Sequence, residues 1–119
     1  MLYLANKLFN EDISSNLRKR LILCSDWVDG KVTANKSAPK RNLQLNDCEE
    51  KTKIINEVIT AIENNYFISN FSFPSKIFNL LFTRTGAGMY YGPHTDTPLL
   101  PTGRRDLSFT IFLSNADEY

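Results

Sequence analysis

The sequence lacks the features that would assign it to several common classes of protein. It contains no run of about 18 apolar residues that could cross a bilayer, and no basic segment followed by an apolar stretch marks a secretion signal at its N-terminus. Because 14 Lys and Arg residues nearly balance 13 Asp and Glu residues, no overall charge favours a nucleic acid or an anionic membrane. We therefore expect a cytoplasmic protein that binds neither nucleic acid nor membranes, and the sequence leaves its oligomeric state open.

Cysteine and histidine are also scarce. The two cysteines, Cys24 and Cys48, show neither CxxC spacing nor the density of a disulfide-stabilised secreted domain. We therefore expect free thiols in or near the core, with a disulfide between them as the less favoured alternative. The only histidine is His94. With 119 residues, 42% of them hydrophobic, the chain has the size of one domain with a packed core, and we expect a single domain over residues 1–119.

Two amphipathic helices are predicted in the first half of the chain. Asn10 is a typical N-cap, and apolar residues at helical spacing follow it: Ile13, Leu17, Leu21 and Cys24. A second helix is predicted from a cap at Asn46 or Asp47 to Asn64 and Asn65. Its wide apolar stripe is formed by Ile54, Ile55, Val58, Ile59 and Ile62.

Strands are predicted around and after these helices. Residues 1–9 could form a short opening strand, and residues 27–32 read as a hairpin around an Asp-Gly turn. Residues 33–41 are polar and basic, which predicts an exposed loop, with an ordered loop that faces an anion or a substrate as the alternative. Residues 76–84 resemble a strand buried on both faces, and residues 106–113 alternate like a half-buried strand. The helices come mainly before the strands, without alternation of strand and helix, and this order favours an α+β fold.

The single histidine lies in the pattern His94-Thr95-Asp96, which could carry chemistry. In an extended segment residues i and i+2 project from the same face, so the imidazole and the carboxylate can converge on one metal ion. Two ligands are too few for a complete site. The triad of two histidines and one carboxylate that binds iron(II) is the site that best completes this pair. The alternative is a loop histidine that is only hydrogen-bonded to a neighbouring carboxylate.

The segment around this pattern resembles a known family. Residues 84–96, RTGAGMYYGPHTD, are similar to the first metal-ligand motif of the iron(II)- and 2-oxoglutarate-dependent dioxygenases, specifically the PKHD-type hydroxylases related to the prolyl 4-hydroxylase catalytic domain. Residues 105–114, RDLSFTIFLS, followed by Asp-Glu-Tyr at 117–119, resemble the next strand of that family. Residues 27–30, WVDG, and residues 40–45, KRNLQL, also match its N-terminal signatures. The resemblance therefore spans nearly the whole chain.

The resemblance implies iron(II) as a cofactor, 2-oxoglutarate as a co-substrate, dioxygen as a partner and ascorbate as a further cofactor. It implies that His94 and Asp96 are two of the three iron ligands and that Tyr91 lines the co-substrate pocket, with a buried core tyrosine as the alternative for Tyr91. It also implies that helices in residues 1–70 pack on the first strands, residues 71–119, of an incomplete double-stranded β-helix (a jelly-roll or cupin-like barrel). The substrate, hydroxylated at a C–H bond, is unknown.

The chain departs from the family in lacking the second half of the site. The family's triad needs a distal histidine, and its co-substrate needs a later Arg or Lys, but the sequence has no second histidine and stops at Tyr119. We therefore expect a truncated hydroxylase domain that is inactive as this fragment. A non-catalytic β-fold binding module, in which His94 is structural, is the alternative from a different functional class.

Overall fold

The computed structural model describes residues 5–33 and 39–118, which form a mixed α+β arrangement. The helices are α1 (Glu11–Leu23), α2 (Glu49–Asn64) and α3 (Tyr66–Ser72). The strands are β1 (Trp27–Asp29), β2 (Lys40–Arg41), β3 (Leu43–Leu45), β4 (Thr83–Arg84), β5 (Tyr90–Tyr91), β6 (Leu99–Leu100) and β7 (Gly103–Arg104). The predicted α+β class is confirmed. Of the predicted opening strand, residues 1–4 lie outside the described residues, and residues 5–9 form no strand.

Helix α1 begins where the sequence predicts it. Asn10 is the N-cap, and its side-chain oxygen accepts a hydrogen bond from the Ile13 amide at 2.8 Å. This bond satisfies one of the amides that the start of a helix leaves unpaired. Leu17 and Leu21 are buried as predicted, but Ile13 is 45% exposed, so the buried stripe is narrower than the sequence indicates.

Helix α2 ends at Asn64 as predicted, but its N-cap is a different residue. Cys48 is the cap, and its sulfur accepts a hydrogen bond from the Lys51 amide at 3.4 Å. The prediction of Asn46 or Asp47 as the cap is wrong. The Asp47 carboxylate instead accepts a bond from Lys51 Nζ at 2.8 Å, and the Asn46 amide is used in pairing with the segment before β1.

The core forms where α1 and α2 pack on β3. Six hydrophobic side chains are buried there: Leu17, Leu21, Leu45, Ile54, Val58 and Ile62. Cys24 and Cys48 pack against this cluster as free thiols, which confirms their predicted place and state. Ile55 and Ile59, predicted in the same stripe as Ile54, are only half-buried. The apolar face of α2 therefore turns partly away from the core.

The described strands form short antiparallel ladders, and the β2–β5 and β3–β4 ladders connect the two halves of the chain. The largest sheet has the order β1-β3-β4, with Trp27 opposite Leu45 and Leu43 opposite Arg84. Strand β2 pairs with β5, and β6 pairs with β7 as a hairpin. Within residues 5–33 and 39–118 these sheets do not close into a barrel.

The predicted hairpin over residues 27–32 is wrong. Strand β1 pairs with β3, and the chain after Asp29 enters a 3₁₀ turn over Gly30–Thr33. The Asp29 carboxylate accepts a hydrogen bond from the Lys31 amide at 2.9 Å, which stabilises this turn. Gly30 does not have the positive φ that the expected hairpin turn requires. A glycine is required at this position for a different reason: a side chain would not fit, because its Cβ atom would collide with Asn42 Oδ1.

The two long strands predicted in the second half do not form. Within residues 76–84 only β4 is a strand, since Asn79 adopts a left-handed conformation (φ 56°) that interrupts the extended chain. Residues 106–113 form no ladder with any described segment, and a strand needs such a partner for its backbone groups. Two of the alternating apolar residues of this segment, Ile111 and Leu113, nevertheless pack against the core.

Candidate functional site

Strand β5 places Tyr91 beside β2, and His94 and Asp96 follow this strand in the chain. Lys40 lies directly opposite Tyr91, and the amide of the next residue, Gly92, donates a hydrogen bond to the Pro39 carbonyl at 2.7 Å. A Cβ atom at Gly92 would approach Pro39 Cγ to 2.7 Å, so only glycine allows this close contact. Gly88, with φ 73°, supplies the turn before β5. The glycines of this motif therefore set the backbone path that leads to His94.

The imidazole and the carboxylate of the His-x-Asp pattern face each other. His94 Nε2 lies 3.5 Å from Asp96 Oδ1, and His94 Nδ1 lies 2.9 Å from the Gly92 carbonyl oxygen. Because a carbonyl oxygen only accepts hydrogen bonds, Nδ1 carries a proton, and in the neutral ring Nε2 bears the lone pair. The structure thus brings together the two residues that the sequence predicts as metal ligands, with the free nitrogen on the side of the carboxylate.

Two further residues hold the Asp96 carboxylate. Ser108 Oγ donates a hydrogen bond to Oδ2 at 2.7 Å, and Arg105 Nη1 lies 3.3 Å from Oδ1. The β6–β7 hairpin brings Arg105 back to this position, and the Arg105 amide donates to the Pro98 carbonyl at 2.8 Å. Oxygen Oδ2 is therefore engaged by a hydroxyl group, whereas Oδ1 lies between His94 and a guanidinium group.

Tyr91 stacks on the imidazole. The ring centroids of Tyr91 and His94 are 3.8 Å apart, with an angle of 11° between the planes. Tyr91 is 45% exposed, so the alternative of a buried core tyrosine is wrong. The ring covers one face of the imidazole and leaves its edge, with Nε2, available.

Lys40 is a residue of this region that the sequence analysis missed. It was predicted in an exposed loop, but it is only 5% exposed, and its Nζ lies 5.0 Å from the Tyr91 ring centroid. Residues 34–38 of that predicted loop lie outside the described part of the chain. Burial lowers the pKa of the Lys40 ammonium, and the nearby Asp29 carboxylate partly opposes this effect. Only the pairing of β2 with β5, which local sequence does not reveal, could have identified it.

The donor set fits part of an iron(II) site. His94 and Asp96 supply one nitrogen and one oxygen, as a facial triad requires of two of its ligands. Across residues 5–33 and 39–118, no group of three or more His, Cys, Asp and Glu side chains could hold a metal ion. The residues present therefore fit two positions of a triad and do not supply the third.

A cavity lies away from this site. It has a volume of about 310 Å³ and lies between α2 and residues 77–81, with Ile55 and Ile59 in its wall. Among the helices of the described segments, none combines the length and the apolar character needed to cross a membrane.

Comparison with known proteins supports the resemblance. A protein of Prochlorococcus marinus strain MIT 9301 that is named a PKHD-type hydroxylase is 43% identical over 124 aligned positions, which cover 100% of this chain and 56% of the relative. A second, from strain MIT 9211, is 40% identical over 98% of this chain and 52% of the relative. The chain belongs to the PKHD-type hydroxylase family.

Other PKHD-type hydroxylases match a shorter part of the chain. One from Synechococcus sp. strain CC9605 is 43% identical over 78% of this chain and 43% of its own length. The chain spans about half the length of the curated relatives it matches. No family model matches the chain, and no solved structure matches it.

Proposed function

We propose that this chain carries two thirds of the metal site of an iron(II)- and 2-oxoglutarate-dependent hydroxylase. His94 and Asp96 are the proposed iron ligands, and Tyr91 is the proposed lining residue of the 2-oxoglutarate site. The observation that supports this most directly is the 3.5 Å separation of His94 Nε2 and Asp96 Oδ1, with His94 Nδ1 engaged by a carbonyl group. A proton on Nδ1 leaves Nε2 as the nitrogen that can bind a metal.

The side chains around the pair have separate roles in this proposal. Ser108 holds Oδ2 of Asp96 and so fixes the direction of Oδ1. Tyr91 restricts rotation of the His94 ring by stacking on it. Iron(II) bound there would supply oxidative chemistry that consumes 2-oxoglutarate and dioxygen, releases succinate and carbon dioxide, and hydroxylates a substrate C–H bond. The protein's contribution is to orient the ligands and the reactants.

The remainder of the site would come from the half of the relatives that this chain does not match. We propose that this half supplies the third ligand and the basic group that pairs with 2-oxoglutarate, and that it completes a jelly-roll barrel begun by residues 71–119. Residues 1–70 would then support the barrel from outside. Ascorbate would act as an accessory cofactor. The substrate class is open, and cytoplasmic location without nucleic-acid or membrane partners stays a prediction.

A chimera tests this proposal directly. The chain would replace the matching part of the Prochlorococcus strain MIT 9301 relative, and anaerobic iron(II) binding and succinate production would be measured. We expect stoichiometric iron binding and turnover of 2-oxoglutarate by the chimera, and loss of both with His94→Ala or Asp96→Ala. Asp106→Asn is the matched control, because its carboxylate pairs with Arg104 instead. The 119-residue chain alone should bind iron weakly and produce no succinate.

The same experiment decides between the enzyme and the binding module. A folded chimera that binds no iron and consumes no 2-oxoglutarate would support a non-catalytic module in which the stacked, hydrogen-bonded His94 is structural. Tight stoichiometric iron binding by the 119 residues alone would instead contradict the proposal that the third ligand lies elsewhere.

A further inference from the structure

Lys40 packs against the Tyr91 ring, which covers His94. We propose that Lys40 is a positioning residue, whose buried ammonium holds the Tyr91 ring in place and thereby keeps the His94 imidazole turned towards Asp96. The inference rests on the proposed function for its effect on metal binding. The contact between the two side chains can be tested without any metal.

Tyr91 contacts both an ammonium and an imidazole. The imidazole covers one face of the Tyr91 ring, with 3.8 Å between the ring centroids, and is nearly parallel to it. Lys40 Nζ lies over the same Tyr91 ring at 5.0 Å from its centroid. One aromatic ring therefore connects the Lys40 ammonium with the His94 imidazole.

The backbone fixes Lys40 and Tyr91 relative to each other. Lys40 and Tyr91 are paired across the β2–β5 ladder, so their side chains project from the same face of the two strands. The bond between the Gly92 amide and the Pro39 carbonyl extends the pairing by one residue on each strand. The ammonium thus reaches the ring from a position that the ladder determines, rather than from a free loop.

Besides the Tyr91 ring, the Lys40 ammonium has one hydroxyl partner and the charge of the nearby Asp29 carboxylate. Lys40 Nζ donates to Thr33 Oγ1 at 3.3 Å, and Thr33 Oγ1 donates in turn to Gln44 Oε1 at 2.6 Å. No carboxylate of the described residues lies within ion-pair distance of Nζ. The charge of the nearby Asp29 carboxylate also acts on the ammonium, but it forms no ion pair with Nζ, so the ring is a direct partner of this buried cation. The attraction between a cation and an electron-rich ring strengthens as water is removed.

This arrangement has a consequence for a metal ligand. Groups that orient a metal-binding histidine typically change metal affinity by about 10- to 100-fold when they are removed. Without the ammonium, Tyr91 would lose one of the contacts that keep its ring parallel to the imidazole. We therefore expect Lys40→Met in the chimera described above to weaken Mn²⁺ binding about 10-fold. Lys40→Arg should retain most of the affinity, since a guanidinium also stacks on aromatic rings.

The primary test uses the fact that the chain has one histidine, whose NMR signals need no assignment among several. The carbon-bound protons of the His94 ring should be shifted upfield by the Tyr91 ring current. Lys40→Met should move them towards the values of an unstacked imidazole, and Lys40→Arg should not. Lys76→Met is the matched control, because Lys76 Nζ lies 5.4 Å from the Phe78 ring centroid, in a similar contact elsewhere.

The outcomes separate this inference from the proposed function. Unchanged His94 ring shifts in folded Lys40→Met, or an equal change in Lys76→Met, would overturn the positioning role. If Lys40→Met does not fold, Lys40→Arg decides: retained upfield shifts support the role, and their loss in a folded variant refutes it. A wild-type chimera that binds no metal would defeat the proposed function, while the difference between Lys40→Met and wild type would still establish the contact.

Discussion

Residues 5–33 and 39–72, which contain the three helices, differ from residues 73–118 in how completely they bury their side chains. Among the described residues, every buried core residue lies in the first of these two regions, where Leu45 and Ile54 are 1% and 0% exposed. In the second region none of the described residues is buried, and Leu107, Phe109 and Phe112 are 58%, 54% and 65% exposed. The predicted metal ligands belong to this second region.

The way the second region is attached to the first explains this difference. Strands β4 and β5 pair with β3 and β2, and each of these ladders contains only two residue pairs. The remaining pair, β6 with β7, is a hairpin of two pairs. The first region, called the helical region below, therefore carries most of the folding stability. The second region carries the candidate metal ligands. Substitutions in the two regions should affect different measurements.

The largest expected effect on the free energy of unfolding comes from a substitution in the core. Ile54→Ala should lower the free energy of unfolding by about 2–5 kcal/mol, because it removes buried methyl and methylene groups and leaves a cavity. Leu107→Ala, at an exposed position of the second region, should change it by no more than about 0.5 kcal/mol. Urea unfolding followed by far-UV circular dichroism measures both. Equal losses in the two variants would show that the regions do not differ as described.

A substitution at the junction of the two regions should have an intermediate effect. Gly92→Ala places a methyl group 2.7 Å from Pro39 Cγ, so β5 must move away from β2, at a cost of about 1–3 kcal/mol. Hydrogen exchange of the residue 92 amide should also become faster. Gly86→Ala is the control, because the nearest atom to its Cβ would be Met89 Sδ at 4.0 Å. Slow exchange in Gly92→Ala would mean that the close contact is not needed.

A third substitution should affect the site without affecting stability. Ser108→Ala removes the hydroxyl group that donates to Asp96 Oδ2, and we expect about 10-fold weaker Mn²⁺ binding in the chimera. Because Ser108 is exposed, the free energy of unfolding should change by less than about 0.5 kcal/mol. Thr110→Ala, two residues further along the same exposed segment, should leave both values unchanged. A large loss of stability in Ser108→Ala would place this residue in the folding core instead.

The helical region was largely predictable from the sequence because helices depend on local signals. The Asn10 cap, the end of α2 and the buried Leu17, Ile54 and Val58 all follow from capping and from helical spacing. The error at the α2 cap arose from competition: Asp47 has a side-chain partner in Lys51, and Cys48 caps in its place. Such competition between neighbouring groups cannot be decided from residue type.

The second region was less predictable because strands depend on partners that are distant in the sequence. The alternation of residues 106–113 indicates a strand, but no described segment pairs with it. The proximity of His94 and Asp96 was predictable, since residues i and i+2 lie close in any extended chain. The contact of Lys40 with Tyr91 was not, because 51 positions separate them and only the β2–β5 ladder brings them together.

The smallest expected effect is on the loss of folding stability in acid, to which the Asp47–Lys51 pair at the start of α2 contributes. A hydrogen bond from Lys51 lowers the pKa of the Asp47 carboxyl below its ordinary value, and the charge of Lys51 acts in the same direction. The ionised carboxylate therefore stabilises the fold above about pH 4, and this contribution is lost as the pH falls through the lowered pKa. Urea unfolding at pH 6 and pH 3 should show a smaller loss on acidification for Asp47→Asn than for wild type. The difference should be small because the Asp47 side chain is fully exposed and solvent screens the pair. Lys51→Met should remove the same acid-dependent part, and adding Asp47→Asn to it should produce no further change; a further change would show that Asp47 acts through another partner.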